Sequence, residues 1–319
     1  MSRRSIEISR ERAHLATEHN QLLIIRDGQS RRDLDMRQRI ACEDIGIVMV
    51  DHREVTYTHC ALAALASHGA ALVVCADDHL PAAIMLPISS HTEQVWRIQD
   101  QIACPKVLKK QLWTTIVKAK VRAQAANLAP DSHARRRLQR MISEVRSNDS
   151  TNVEAQAARM YWQAMFPPRD GIRFKRTPGE RKMPNAFLDY GYAALRAAVA
   201  RCLVGAGLMP AIGIHHANRS NAFCLADDLI EPLRPMIDRR VQSLIHEGSK
   251  TLDQQTKARL LLTLTATVKT GGRDEDPVFG PLDGALVHYA ASFAQSIASG
   301  ESVLRIPIET IGETDHGYA

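Results

Sequence analysis

The sequence predicts an α+β fold in which a small β-rich amino-terminal domain is followed by a larger all-α domain. Short apolar runs separated by turn residues fill the first hundred positions, the signature of strands. Beyond Cys104 the apolar residues recur at three-to-five-residue intervals over long stretches, the period of amphipathic helices. The composition, 45% hydrophobic and 24% charged over 319 residues, is that of a globular chain with enough material for one large or two moderate domains.

In order, "SIEIS", "HLATEH", "QLLIIR", "IGIVMV", "ALVVCA" and "AAIML" read as strands. One Ala-rich helix, "THCALAALASHG", interrupts them and stops at Gly69, because glycine tolerates the backbone that ends a helix. A β-rich domain is assigned to residues 1–95 and a linker to 96–104. A helical domain follows at 105–308, then a mobile tail at 309–319. The first long helix sets Val107/Leu108, Leu112/Trp113, Ile116/Val117 and Val121 on one face, with Pro105 near its first turn. Further helices are expected in "SHARRRLQRMISEVRS", "NVEAQAARMYWQAMF" and "NAFLDYGYAALRAAVARCLVGAG". Others are expected from near Asn221 and in "QQTKARLLLTLTATV" and "LDGALVHYAASFAQSIAS".

Charge is uneven. Residues 101–182 hold eighteen Lys or Arg against six Asp or Glu, a local +12 in a chain whose formal net charge is +6, so the remainder sums to −6. A concentrated basic segment points to a polyanionic partner. Six scattered cysteines without a CxxC spacing suit a reduced cytoplasm. Neither a signal peptide nor a membrane span is expected. The longest uncharged stretch, residues 55–76, is broken by His59, Ser67, His68 and Gly69.

The segment "GIHHANRSNAFCLADDLIEP" places two histidines near Asp227, Asp228 and Glu231. With a helix beginning near Asn221, Asp228 and Glu231 are three apart and share a face. Like charges side by side need a cation, a proton or solvent to relieve them, and His216 offers a nitrogen ligand. The plain alternative is a solvated helix face, with Asp227 and Asp228 favoured by the helix dipole. Glu154, in the first turn after a candidate cap at Asn152, has the same plain reading and lies at the edge of the stripe Val153, Ala157, Tyr161, Met165. Glu, His and Glu from separate elements form a hard ligand set suited to Mg²⁺ or Mn²⁺. Between them, "PRDGIRFKRTPGERK" carries Arg169, Arg173, Lys175, Arg176, Arg181 and Lys182, a cationic stretch of the kind that holds a phosphodiester backbone. Phe174 within it is read as core.

In combination these segments resemble the CRISPR-associated Cas1 family of spacer-acquisition integrases, in particular the branch from systems with a single large effector nuclease. The likeness rests on "CEDIGIVMVDHREVTYTHCALAALASHGAALVVCADDHLPAAIMLPI", "NVEAQAARMYW", "RFKR" followed by "PNAFLDYGYAALRA", and "PAIGIHHANRSNAFCLADDLIEPLRP". It covers nearly the whole chain, and departs from the family at Asp189, where the family commonly carries Asn.

The resemblance implies Glu154, His216 and Glu231 as metal ligands, with Asp228 either binding the ion or supporting the site from behind. Arg173, Lys175, Arg176 and His215 are implied to contact DNA. It further implies Mg²⁺ or Mn²⁺ as cofactor, a homodimer, double-stranded DNA from spacer fragments and the CRISPR repeat as substrate, and a heterohexamer with the small Cas2 partner. The implied reaction is attack of a spacer 3′-hydroxyl on a phosphodiester at the repeat border. Two other readings stay open on these residues: a structure-selective endonuclease that never joins ends, and a non-catalytic DNA-binding scaffold.

Overall fold

The computed structural model describes residues 3–26, 38–87, 91–168, 171, 173–271 and 276–310. Strands β1 (Arg4–Ile8), β2 (Ala13–Glu18), β3 (Gln21–Arg26), β4 (Gln38–Ala41), β5 (Ile45–Val50) and β6 (Thr56–Tyr57) precede helix α1 (His59–Ser67), and β7 (Ala71–Cys75) and β8 (Pro81–Met85) follow it. They form two four-stranded sheets, ordered β1-β5-β7-β8 and β4-β3-β2-β6. In the first, β1, β5 and β7 run parallel and β8 returns antiparallel. Residues Ile6, Ile8, Leu15, Leu22, Ile24, Ile40, Val48, Val50 and Leu72 meet between the sheets beneath Ala61 and Leu65 of α1.

The opposite face of β5 and β7, carrying Ile47, Met49, Ala71 and Val73, belongs to the core of the helical part. This double burial explains why "IGIVMV" is apolar without alternation: all six residues of β5 are buried. The two parts therefore share a packed seam. It also carries a charge pair, Lys257 with Asp51, whose side chains are 4% and 0% exposed.

Residues 96–104, expected as a linker, are almost wholly helical. Helix α2 spans Gln94–Ala103, and its buried Gln101 donates to the carbonyls of Met209 (2.9 Å) and Ile212 (2.7 Å) while accepting from the Met209 N–H (3.0 Å). A glutamine satisfied this fully by backbone 108 or more residues away is a clamp. Helices α3 (Lys106–Ala126), α4 (His133–Glu144), α5 (Val153–Met165), α6 (Asn185–Gly205), α7 (Cys224–Ile230), α8 (Arg234–His246) and α9 (Gln254–Leu261) follow. The order closes with β9 (Thr267–Thr270), β10 (Val278–Pro281), α10 (Leu282–Ser299) and β11 (Ile308–Glu309).

The second part is thus not all-α: β10, β9 and β11 form an antiparallel sheet. The helix expected over "QQTKARLLLTLTATV" ends at Leu261, and Thr267–Thr270, with two threonines and a valine, is a strand. The expected tail, 309–319, begins inside the strand Ile308–Glu309; Glu309 also pairs with Arg239 of α8, and 311–319 lie outside the described residues. Helix α6 is central, with sixteen of its residues buried. Ile237 of α8 lies so close to Gly191 that no side chain fits between them. Among the described residues no helix is long and apolar enough to cross a membrane. The cysteines are all free, with Cys42, Cys104, Cys202 and Cys224 buried and Cys60 exposed rather than in the core.

Candidate metal centre

Helix α3 is the floor of the site. Its apolar stripe runs from Leu112 and Trp113 through Ile116, Val117 and Val121, and Lys120 sits within that stripe, itself buried. The Lys120 ammonium lies between two carboxylates, donating to Glu231 Oε2 at 2.5 Å and to Glu154 Oε1. These acids come from elements 77 residues apart in sequence (231 − 154).

Glu154 is set in place by a turn that the sequence reading assigned differently. Asn152 occupies the N-cap position in a left-handed conformation but makes no side-chain cap. Asp149 supplies it, accepting from the N–H of Val153 and of Glu154, both at 2.9 Å. Glu231, at the end of α7, is buried and forms an ion pair with Arg234, Nε lying 3.1 Å from Oε1. Burial would raise the Glu231 pKa, but the charges of Arg234 and Lys120 outweigh it and hold the carboxyl down at about 2. Burial would likewise lower the Lys120 pKa, and Glu231 and Glu154 reverse this into a rise. Arg234 is half-buried, and Glu231 raises its pKa against the desolvation.

The histidine loop is built on Asp228. This carboxylate is fully buried and accepts from the backbone N–H of Ile214 (2.7 Å), His215 (3.1 Å) and His216 (3.1 Å). It also engages His216 Nδ1 at 2.6 Å, and this hydrogen bond, against burial, raises the His216 pKa. With both oxygens committed, Asp228 is a support for His216. Among the described residues Nε2 of His216 has no hydrogen-bond partner.

His215 turns elsewhere, stacking on Trp113 with ring centroids 3.9 Å apart and planes within 1°. His216 meets the same indole edge-on at 5.8 Å. Gly213 makes the loop possible: a Cβ there would strike the His216 carbonyl and approach Asp228 Oδ2 at 2.9 Å and Cys224 Cβ at 3.0 Å. Gly213→Ala is expected to lower stability by about 1–3 kcal/mol. An unchanged thermal midpoint would show that the loop has more room than this.

Glu154 and Glu231 are therefore brought together around a positive charge, and His216 is near enough that its charge acts on Glu231. Among the described residues no group of three or more His, Cys, Asp or Glu stands ready to hold an ion, and the Lys120 ammonium occupies the place between the acids. Two oxygen donors already converging on one cation, beside an imidazole with a free nitrogen, are chemically the donors of a Mg²⁺ or Mn²⁺ site.

Of the basic residues, Arg173 and Lys175 are exposed on the segment before α6, and Arg169 lies outside the described residues. Arg176 differs from expectation. Its guanidinium is committed to Asp189, to Asn185 at 3.1 Å and to the Tyr192 ring at 5.4 Å, so it shapes the segment and is not free for phosphate as it stands. The departure from the family at Asp189 thus supplies the partner of Arg176. A cleft of about 400 Å³ between β8 and α6 is lined by Arg176, Arg196 and Arg234. Phe174 packs with Phe166 (4.8 Å) and Trp162 (5.4 Å), as a core aromatic does.

Sequence reasoning missed Lys120, Arg234, Asp149 and Gly213. Only Lys120 left a clear mark, as a lone charge in an otherwise apolar helical stripe.

The model of the family "CRISPR associated protein Cas1" matches residues 6–270. The CRISPR-associated endonuclease Cas1 of Neisseria meningitidis is 40% identical over 254 residues, covering 78% of this chain and 79% of the relative. Among solved structures, a casposase bound to integration product aligns with a TM-score of 0.74 at 19% identity, covering 99% of this chain and 97% of that one. A Cas6-RT-Cas1–Cas2 complex contains a chain that aligns with a TM-score of 0.67 at 17% identity, covering 97% of this chain and 36% of that one. At those identities the structural likeness speaks for the fold.

Proposed function

This chain belongs to the CRISPR-associated Cas1 family, and from that premise we propose that it is a divalent-metal-dependent integrase and endonuclease of CRISPR adaptation. The observation that carries the reading is the convergence of Glu154 and Glu231, from separate helices, on a single positive charge beside the Asp228-held His216. Glu154, Glu231 and Nε2 of His216 would hold the ion. When bound, Mg²⁺ or Mn²⁺ supplies Lewis acidity toward a phosphoryl oxygen and eases ionisation of an attacking hydroxyl.

The chain's own residues do the rest. Arg234 keeps Glu231 ionised in its buried setting, and Asp228 fixes the tautomer and orientation of His216, as partners behind a ligand do. Arg173 and Lys175 hold the phosphate backbone of double-stranded DNA and add to the salt dependence of binding, and His215, braced on Trp113, is a further DNA contact. The spacer 3′-hydroxyl attacks a repeat-border phosphodiester, whose departing 3′ oxygen takes up the released charge; water in place of that hydroxyl gives cutting. The relative named an endonuclease supports the hydrolytic branch, and the casposase bound to integration product supports joining. The complex containing Cas1 and Cas2 supports a small Cas2 partner, with which a homodimer would form a heterohexamer in the prokaryotic cytoplasm.

The test supplies labelled duplex fragments and a supercoiled repeat plasmid to the protein, with and without Cas2, in Mg²⁺, Mn²⁺ or EDTA. Joined label only with divalent metal, and none from a folded Glu154→Ala variant, is the expected result. Joining in EDTA, or by that variant, would remove the metal reading; cut products alone would favour the endonuclease, and no product the scaffold.

A further inference from the structure

We propose that Lys120 is a resident counter-ion of the site, holding Glu154 and Glu231 together in the metal-free protein, and that a divalent cation enters by displacing its ammonium. This rests on the reading of Glu154, His216 and Glu231 as the ligand set. Three observations support it. The ammonium bridges both acids, reaching Glu231 Oε2 at 2.5 Å and Glu154 Oε1, so it stands where a cation bound by both would stand. The Lys120 side chain is 11% exposed and lies in the apolar stripe of α3, a position in which a lysine is costly unless its charge is matched. Arg234 already engages the other oxygen of Glu231, so Lys120 is not needed to neutralise Glu231 alone; what it adds is the link to Glu154.

The arrangement has a purpose that a simple ion pair lacks. Two carboxylates facing each other without a cation repel, and an empty site would spread or take up a proton. A tethered ammonium keeps them ionised and converged, and its flexible four-carbon stem lets it leave. The consequence is competition: the ion binds more weakly than the same acids would bind it without the lysine.

Mn²⁺ binding, followed by the electron paramagnetic resonance signal of free Mn²⁺, is measured on the full chain and on Lys120→Met. The variant is expected to bind on the order of tenfold more tightly or better, since a like charge has left the site. Its thermal midpoint should be lower in EDTA and rise further on adding Mn²⁺ than the parent's does. Equal or weaker Mn²⁺ binding by the variant overturns the proposal. Should the variant not fold in EDTA, the parent decides: acylation of Lys120, read by mass spectrometry, is expected to quicken when Mg²⁺ is added. Unchanged labelling then overturns it. The premise is checked apart, because Mn²⁺ binding by the parent that Glu231→Gln leaves intact would refute the ligand assignment itself, whatever Lys120 does.

Discussion

Asp228→Asn is expected to leave the protein folded, to weaken divalent-metal binding by about 10- to 100-fold, and to lower metal-dependent joining at least as much. The carboxylate accepts from three backbone N–H groups and from His216 Nδ1. In that arrangement Nδ1 carries the proton and Nε2 keeps its lone pair. An asparagine retains one acceptor oxygen, enough for the Ile214 and His215 N–H groups, but turns an NH₂ toward His216. That group donates to Nδ1 and drives the proton to Nε2, where it blocks the ligand position.

Asp228→Ala is the companion. It strips the partners from three N–H groups around a fully buried position, at about 1–3 kcal/mol for each group left unsatisfied, so its thermal midpoint should fall well below that of Asp228→Asn. A pair of variants equally active with the parent would show that His216 needs no orienting partner. An asparagine variant as unstable as the alanine one would show that the loop depends on the charge and not on the acceptor.

The second large effect concerns pH. Asp238 of α8 is buried, joined to Tyr161 of α5 at 3.0 Å and to Tyr192 of α6. Tyr161 in turn accepts from Asn127 at the end of α3 at 2.9 Å. Three helices meet at this one carboxyl, and α3 joins them through Tyr161. Burial pushes the Asp238 pKa up to about 7, against the pull of the two hydroxyls. The unfolded chain releases this proton near 3.8 while the folded chain keeps it, so between those values the folded state binds more protons. The stabilising contribution is therefore whole below about pH 4 and is lost as pH rises through 7.

At about 1.4 kcal/mol for each unit of separation, the loss has a ceiling of about 4 kcal/mol. In Asp238→Asn this contribution disappears. Urea unfolding of parent and variant from pH 5 to 8 should show the parent losing stability relative to the variant as pH rises. Glu7, which burial also raises, and His216 are common to both proteins and cancel in the difference. Parallel curves would mean that Asp238 is ionised throughout.

Much of the architecture is legible in the chain because it is written in short-range periodicity. The stripe Val153, Ala157, Tyr161, Met165 is the buried face of α5, and the uniformly apolar "IGIVMV" is a strand covered on both faces. The ligand candidates were legible for a different reason. Glu154 and the His216 to Glu231 segment each sit in a compact local motif, and several such motifs together identify the family. Where local signals were weak the reading slipped. Helix α2 lies where a linker is expected: Val95, Ile98 and Ile102 keep helical spacing, but Val95, Trp96 and Ile102 are exposed and the buried residue is the polar Gln101. The β9 strand followed a helix without a break and was absorbed into it.

What the sequence by itself determined was most of the amino-terminal strands and long helices, the family, and the acids and histidine that could meet. Which of them share an atom was decided by tertiary structure alone. Lys120 and Glu231 are 111 residues apart, Gln101 and Ile212 equally far, and nothing in the spacing of either pair announces a contact. Asp228 and Glu231 look equivalent as two acids on one turn. Packing separates them: one is surrounded by backbone N–H groups and becomes a support, the other faces two cations and becomes a ligand candidate. Periodicity reports which side of an element is buried, whereas chemistry depends on what that side is buried against.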